Sequence, residues 1–302
     1  MTAVPRTNAE ATGARGVHPS ARRARVVRLT VRSIALLYLL FLLVLPVAMV
    51  FLRTFEGGIE PFLKAISRPA FQSAFWLTVQ ITLITVPVCT TLGIVAALAL
   101  VRRRFPGRAL LNALVDLPFA LSPVVIGLSL FLVYGQRSPI GAFLNDLGIQ
   151  VIFAVPGMVL ATIFVCLPFV IREVIPVLRE IGTDQEEAAY TLGASHWRAF
   201  WRVTLPAIRW GVIYGIILTT ARSLGEYGAV AIVSGKISGR TESLTVHVEE
   251  RYLAFDLVGA YSAAIVLATL AVLVLIAMQV YQSGLLHRRS SEDAESPDPT
   301  GV

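Results

Sequence analysis

The sequence predicts an all-α integral membrane protein with six transmembrane helices and a helical cytoplasmic loop. Three observations carry that expectation. Hydrophobic residues make up 56% of the 302 residues and charged residues 15%, where a soluble domain has about 25% charged residues. Mean hydropathy is +0.73, more apolar surface than a soluble chain of this length can hide. The apolar residues are gathered into six runs, and a bilayer core needs about 20 residues per helix. Collagen-like, disulfide-stapled and disordered classes are excluded.

The first run, Ser33 to Leu52, follows a basic stretch containing Arg6, Arg15, Arg22, Arg23, Arg25, Arg28 and Arg32. It exceeds the roughly 7 to 15 residues of a signal-peptide core, so it is expected to be a retained anchor. The second, Ala74 to Val101, is long enough to require tilt, and Pro87 is a candidate kink. The others are Ala113 to Tyr134, Val151 to Ile171, Ala207 to Val233 and Leu257 to Ser283. Residues 1–32 form the basic N-terminal segment, 33–286 the membrane domain, and 287–302 a polar tail expected to be disordered. Cys89 and Cys166 lie inside apolar runs as small buried hydrophobes, with no metal-ligand or disulfide pattern around them.

Basic residues fix the expected orientation. Alternating the loops puts 18 of the 26 on the side of both termini and seven on the other, with Arg222 inside a run. The positive-inside bias places both termini in the cytoplasm of a bacterial inner membrane. The net charge of +7 is therefore a topological signal, and no nucleic-acid groove is implied; the surrounding partner is lipid.

One loop, residues 180–206, is longer than a simple reversal needs. Thr183 and Glu186 have the spacing of a capping box for a first helix, and Gly193 is placed to end it in a left-handed conformation. Ser195 is placed to cap a second helix bearing Trp197, Phe200, Trp201 and Leu205, expected along the membrane surface. On the first, Ala188, Ala189 and Leu192 make a shallow apolar patch beside Glu186 and Glu187. Such a surface fits a docking element; an amphipathic surface helix with no partner is the plainer alternative.

The string Glu187-Ala188-Ala189, then Gly193, then Val203-Thr204-Leu205-Pro206 resembles the EAA loop of permease subunits of bacterial ABC importers, with Val203 in place of the family's Ile. The resemblance extends from about Trp76 to Ala263 through FPGRALL from Phe105, DLPFALSPVVIGL from Asp116, PGMVLATIFV from Pro156, LPFVIREVIPV from Leu167, GASHWRAFWRVTLPAIRWG from Gly193 and ARSLGEYGAVAIVSG from Ala221. These stretches are similar to sulfate/thiosulfate importer permeases. Ser122-Pro123-Val124-Val125 and Arg172-Glu173 resemble the W-type subunit more than its T-type companion. Molybdate and tungstate permeases share the loop and the Arg-x-x-Gly-Glu segment, so a permease of that kind is the alternative.

The resemblance implies a type I ABC importer permease fold, in which Glu187, Ala188, Ala189, Gly193, Val203, Leu205 and Pro206 form the coupling element on a separate ABC ATPase homodimer. It further implies a T-type second permease and a periplasmic or extracellular sulfate/thiosulfate-binding protein. No GxxxxGK[ST] phosphate loop occurs in the chain, so ATP is expected on the partner ATPase, with no cofactor held here and no catalysis by this subunit.

Arg222 and Glu226 lie about 22 to 28 Å along a continuous fifth helix, deep in the membrane. At i, i+4 they are expected to pair, as a structural ion pair holding the fifth span against its neighbours; the functional alternative is that Arg222 faces a tetrahedral dianion with Glu226 restraining it. Thr219, Thr220, Ser223, Gly225 and Gly228 offer hydroxyls and close backbone approach around it, or ordinary helix contacts. Pro118, Ser122 and Pro123 mark a distortion of the third run suited to a path or gate, or merely a packing kink. Glu173 beside Arg172 is expected to form a cytoplasmic ion pair. An ion-coupled secondary transporter is disfavoured because Glu226 is the only acid deep in a run. An intramembrane enzyme is disfavoured because His18, His196, His247 and His287 lie outside the runs without metal-ligand spacing.

Overall fold

The computed structural model describes the backbone of residues 21–295 and the side chains of residues 29–42 and 44–280. The chain divides between Met49 and Val50 into two compact units. Helix α1 (Ala21–Phe55) contributes to both. It begins inside the basic segment, whose residues 1–20 lie outside the described region, and its apolar residues are exposed around its circumference, as in Ile34, Leu37, Tyr38 and Phe41. A helix apolar on every face suits a lipid environment.

The second unit contains α2 (Ile59–Ile66), α3 (Pro69–Arg102), α4 (Arg108–Ala120), α5 (Pro123–Tyr134), α6 (Pro139–Asp146) and α7 (Val155–Ile181). It continues with α8 (Asp184–Thr191), α9 (His196–Ala199), a π-helical turn at Phe200–Thr204, α10 (Leu205–Leu224), α11 (Gly228–Ser234), α12 (Leu244–Leu253) and α13 (Leu257–Glu295). Among the described residues five helices are long and apolar enough to cross a membrane, or six if α4 and α5 count as one bent span.

The centre is α3, α7 and α10 packed on one another. Their approach is set by small residues. A Cβ built on Gly93 of α3 would lie 2.6 Å from Val170 Cβ, and one on Gly215 of α10 would lie 2.9 Å from Val170 Cα. Glycine at both positions lets two helices close on the same buried valine of α7, which is how membrane helices gain contact where no hydrophobic force separates lipid from protein. Leu100, Ile171, Val174, Leu178 and Ile208 fill this core. Pro87, Pro168 and Pro176 lie inside their helices without ending them.

Two expected spans are interrupted. The third run is two helices, α4 and α5, at 115°. Leu121 and Ser122 between them are extended, with ψ 143° and 137°, and Pro123 favours the extended backbone at Ser122, the residue before it. The fifth run stops at Leu224 and resumes at Gly228, so Arg222 and Glu226 do not share one continuous helix. α5 and α11, the segments beyond the two breaks, pack side by side and on α7, with Ile126, Met158, Val230 and Val233 in one core. α12 and α13 close on α3 through Phe71, Ala74, Leu244 and Ala263.

Three further expectations are corrected. Arg172 does not pair with Glu173, since adjacent helical residues face different directions; its Nε donates to Asp116 Oδ1 at 2.8 Å and its Nη2 to Asn112 Oδ1 at 3.2 Å, joining α7 to α4. The second loop helix is not separate, because α9 runs through the π-helical turn into α10. Helix α13 extends to Glu295, into the stretch expected to be disordered, because no proline interrupts it before Pro297; residues 296–302 lie outside the described region.

Candidate functional site

Two regions hold the residues that the sequence singles out. The first is the loop from Gly182 to Leu205. Gly193 has φ +82°, a conformation open to glycine at little cost. Its N–H donates to Tyr190 O at 2.9 Å, and the Ala194 N–H donates to Ala189 O at 3.0 Å, closing α8 with paired C-terminal bonds. Ser195 Oγ accepts from the Arg198 N–H at 3.4 Å, so the expected cap of α9 forms. The Tyr190 and His196 rings meet edge-on at 4.8 Å and tie the two short helices together.

The expected capping box does not form. Thr183 has ψ −8°, away from the extended backbone a capping residue needs, and its side chain makes no cap bond. Glu186 instead turns toward the bundle, where Oε1 accepts from Arg102 Nη2 at 3.1 Å and from Thr204 Oγ1 at 3.0 Å. Arg102 also donates to Leu178 O at 3.2 Å and Gly182 O at 2.6 Å. This contact was hidden in the sequence because its partners are far apart along the chain.

The outward face of the loop differs sharply. Glu187, Ala188 and Gly193 are exposed, Leu192 is 89% exposed and Trp197 71%. Among the described residues the Glu187 carboxylate has no hydrogen-bond or ion-pair partner, while its N–H donates to Thr183 O at 2.9 Å. Ala189, Val203 and Leu205 are half-buried, and Pro206 occupies the first turn of α10. The seven loop residues therefore split into an outward surface around Glu187, Ala188 and Gly193 and a joint that seats it on α10.

The second region surrounds the two chain breaks. Arg222 Nη2 lies 2.7 Å from Glu226 Oε2, the acid 1% exposed and the arginine 32%. Glu226 Oε1 accepts the Ala229 N–H at 3.0 Å, and Thr245 Oγ1 donates to Glu226 O at 2.8 Å. The carboxylate thus pairs with Arg222 and holds the start of α11, while the main-chain carbonyl of the same residue anchors α12. A Cβ on Gly228 would lie 2.9 Å from Pro123 Cβ, so the two breaks rest against each other.

The remaining candidates separate by exposure. Ser122 and Gly225 are exposed at the breaks, with Ser122 making no side-chain cap bond. Thr219, Thr220 and Ser223 are buried: Ser223 Oγ donates to Thr82 Oγ1 of α3 at 3.1 Å and Thr220 Oγ1 turns back to Ile216 O at 2.7 Å. Thr219 Oγ1 has no partner among the described residues. Thr82, Ala229 and Thr245 belong to this network, and no local pattern marks them.

Comparison with known proteins finds a matching family, relatives and a similar solved structure. Residues 89–287 match the family described as binding-protein-dependent transport system inner membrane component. The chain is 52% identical over 258 residues to the sulfate transport system permease protein CysW of Synechocystis sp. PCC 6803, covering 85% of this chain and 94% of the relative. It is 48% identical over 244 residues to the protein of the same name from Synechococcus elongatus PCC 7942, covering 81% and 85%. In three dimensions it is similar to a chain of a bacterial alginate ABC transporter crystallised with an alginate pentasaccharide-bound periplasmic protein. That match has a TM-score of 0.69, covers 85% of this chain and 93% of the other, and at 16% identity speaks for the fold alone.

Proposed function

Because this chain belongs to the family of binding-protein-dependent transport system inner membrane components, with CysW-type relatives matched over most of their length, we propose that it is the permease subunit of an ATP-driven importer of sulfate and thiosulfate. An external binding protein delivers the dianion, and this chain with a T-type second permease encloses its path. A cytoplasmic ATPase pair docks on α8 and supplies the energy. Both termini face the cytoplasm of the inner membrane, in line with the basic-residue bias.

The observation that carries this reading is the two-sidedness of α8. One side presents the unpartnered Glu187 carboxylate with exposed Ala188 and Gly193, and the other is held to the bundle through Glu186. Small residues let a partner reach the helix backbone closely, and a free carboxylate offers charge to a basic groove. A helix secured on one side and open on the other suits receiving a push.

Arg222 is the cation that meets the dianion on its path. Support comes from the unequal burial of its pair: Glu226 is sealed among backbone bonds while a third of the Arg222 side chain stays open. Opposite charge nearby keeps the arginine tolerable in the membrane, and about a third of its side chain stays open at the chain breaks. The hydroxyl of Ser122 and the backbone of Gly225 lie exposed at the same breaks.

The test is uptake of labelled sulfate into vesicles carrying the chain with its partner subunits, with competing anions. Strong competition by thiosulfate and weak competition by molybdate is the expected result. Preferential competition by molybdate would replace the proposed cargo.

A further inference from the structure

We propose that Glu186 is a positioning residue for energy coupling: its bonds to Arg102 and Thr204 fasten α8 to α3 and α10 so that these two helices move with it. This rests on the reading of α8 as the ATPase dock, and it assigns to Glu186 a role separate from that of its exposed neighbour Glu187.

The geometry is that of a four-way joint. Among the described residues of α8, Glu186 is the one whose side chain hydrogen-bonds to the long helices. One oxygen, Oε1, accepts from both the guanidinium that ends α3 and the hydroxyl of the π-helical turn that feeds α10. The same guanidinium holds the Leu178 carbonyl in the last turn of α7, where the helix dipole is negative, and the Gly182 carbonyl just beyond that helix. The Arg102 and Glu186 side chains are only 15% and 14% exposed, so water competes weakly with their bond.

A second tie makes the joint consequential. Far along the same two helices, Ser223 of α10 donates to Thr82 of α3. α3 and α10 are thus fastened to each other at two levels, near α8 through Glu186 and beside Arg222 through Ser223. Displacement of α8 then moves both helices as one lever, and the far end of that lever carries Arg222. The π-helical turn at Phe200–Thr204 lies where the lever meets the loop, and such turns occur often at working joints.

The experiment uses the full complex, with ATPase, second permease and binding protein, in proteoliposomes, and reads sulfate transported per ATP hydrolysed. Glu186→Ala and Thr204→Val should keep the ATPase bound and hydrolysing while transport per ATP falls about fivefold to tenfold. Glu186→Gln, which keeps an accepting oxygen, should recover most of the ratio. An unchanged ratio in Glu186→Ala, or loss of the bound ATPase from it, overturns the proposal. Glu187→Lys in the same preparation separates the two ideas: if it leaves ATPase binding and uptake intact, the docking reading itself is wrong.

Discussion

Pro123 and Gly228 meet so closely that a methyl group on Gly228 would lie 2.9 Å from the proline Cβ. Each residue begins the helix that follows a break, α5 in one case and α11 in the other. The contact seats one interrupted span against the other beside Glu226. Gly228→Ala should therefore push the breaks apart, costing about 1–3 kcal/mol as overpacking does. Gly225→Ala, where the nearest atom would be 3.7 Å away, should be tolerated. Thermal unfolding in detergent together with uptake distinguishes them; equal behaviour of the two variants would contradict the contact.

Removing the charge of Glu226 should separate the roles of the Arg222 pair. Glu226→Gln keeps an oxygen for the Ala229 N–H but leaves Arg222 without its counter-charge, a loss of about 3 kcal/mol for a fully buried pair and less here because Arg222 is partly open. Adding Arg222→Met should restore thermal stability yet leave uptake low if the cation serves the dianion. Restored uptake in the double variant would make the pair purely structural.

Gly193→Val should fail for a local reason. At φ +82° a β-branched residue costs on the order of 1–2 kcal/mol, and α8 would lose the bonds that close it. Retention of the ATPase in pull-downs should drop while the chain still inserts. Normal retention would mean that the left-handed turn is dispensable for docking.

A carboxylate outside the spans sets an acid limit. Burial acts to raise the pKa of Glu242, but hydrogen bonds from His247 and Ser238 and the nearby His247 and Arg251 charges outweigh it and hold the value below the ordinary 4.5. A pKa depressed by folding adds stability above 4.5, and that contribution fades as pH falls through the depressed value. Thermal unfolding followed from about pH 6 downward should show the wild type losing more stability than Glu242→Gln below about 4.5. Parallel curves would remove Glu242 from the account.

What the sequence disclosed was chiefly local or periodic. Gly193 and Ser195 act on their own backbone neighbours, so their roles could be read from spacing alone. The apolar runs stood out because the bilayer imposes length. Hydropathy averages over a run, however, and so it passed smoothly through Leu121–Ser122 and Gly225–Tyr227, where the chain turns. Glu186 illustrates the other limit. Its spacing from Thr183 suited a capping box, but Arg102 from a distant helix offered a charged donor, and the stronger bond prevailed. Arg172 with Asp116 and Ser223 with Thr82 were hidden for the same reason.

The most direct test of the account is ATP dependence in one reconstituted system. Labelled sulfate uptake is measured in proteoliposomes containing the full complex, with and without ATP on the cytoplasmic side, for wild type and Glu187→Lys. The account predicts uptake only with ATP, and its loss in Glu187→Lys while the chain remains inserted. Uptake that persists without ATP, or that Glu187→Lys leaves unchanged, would contradict it.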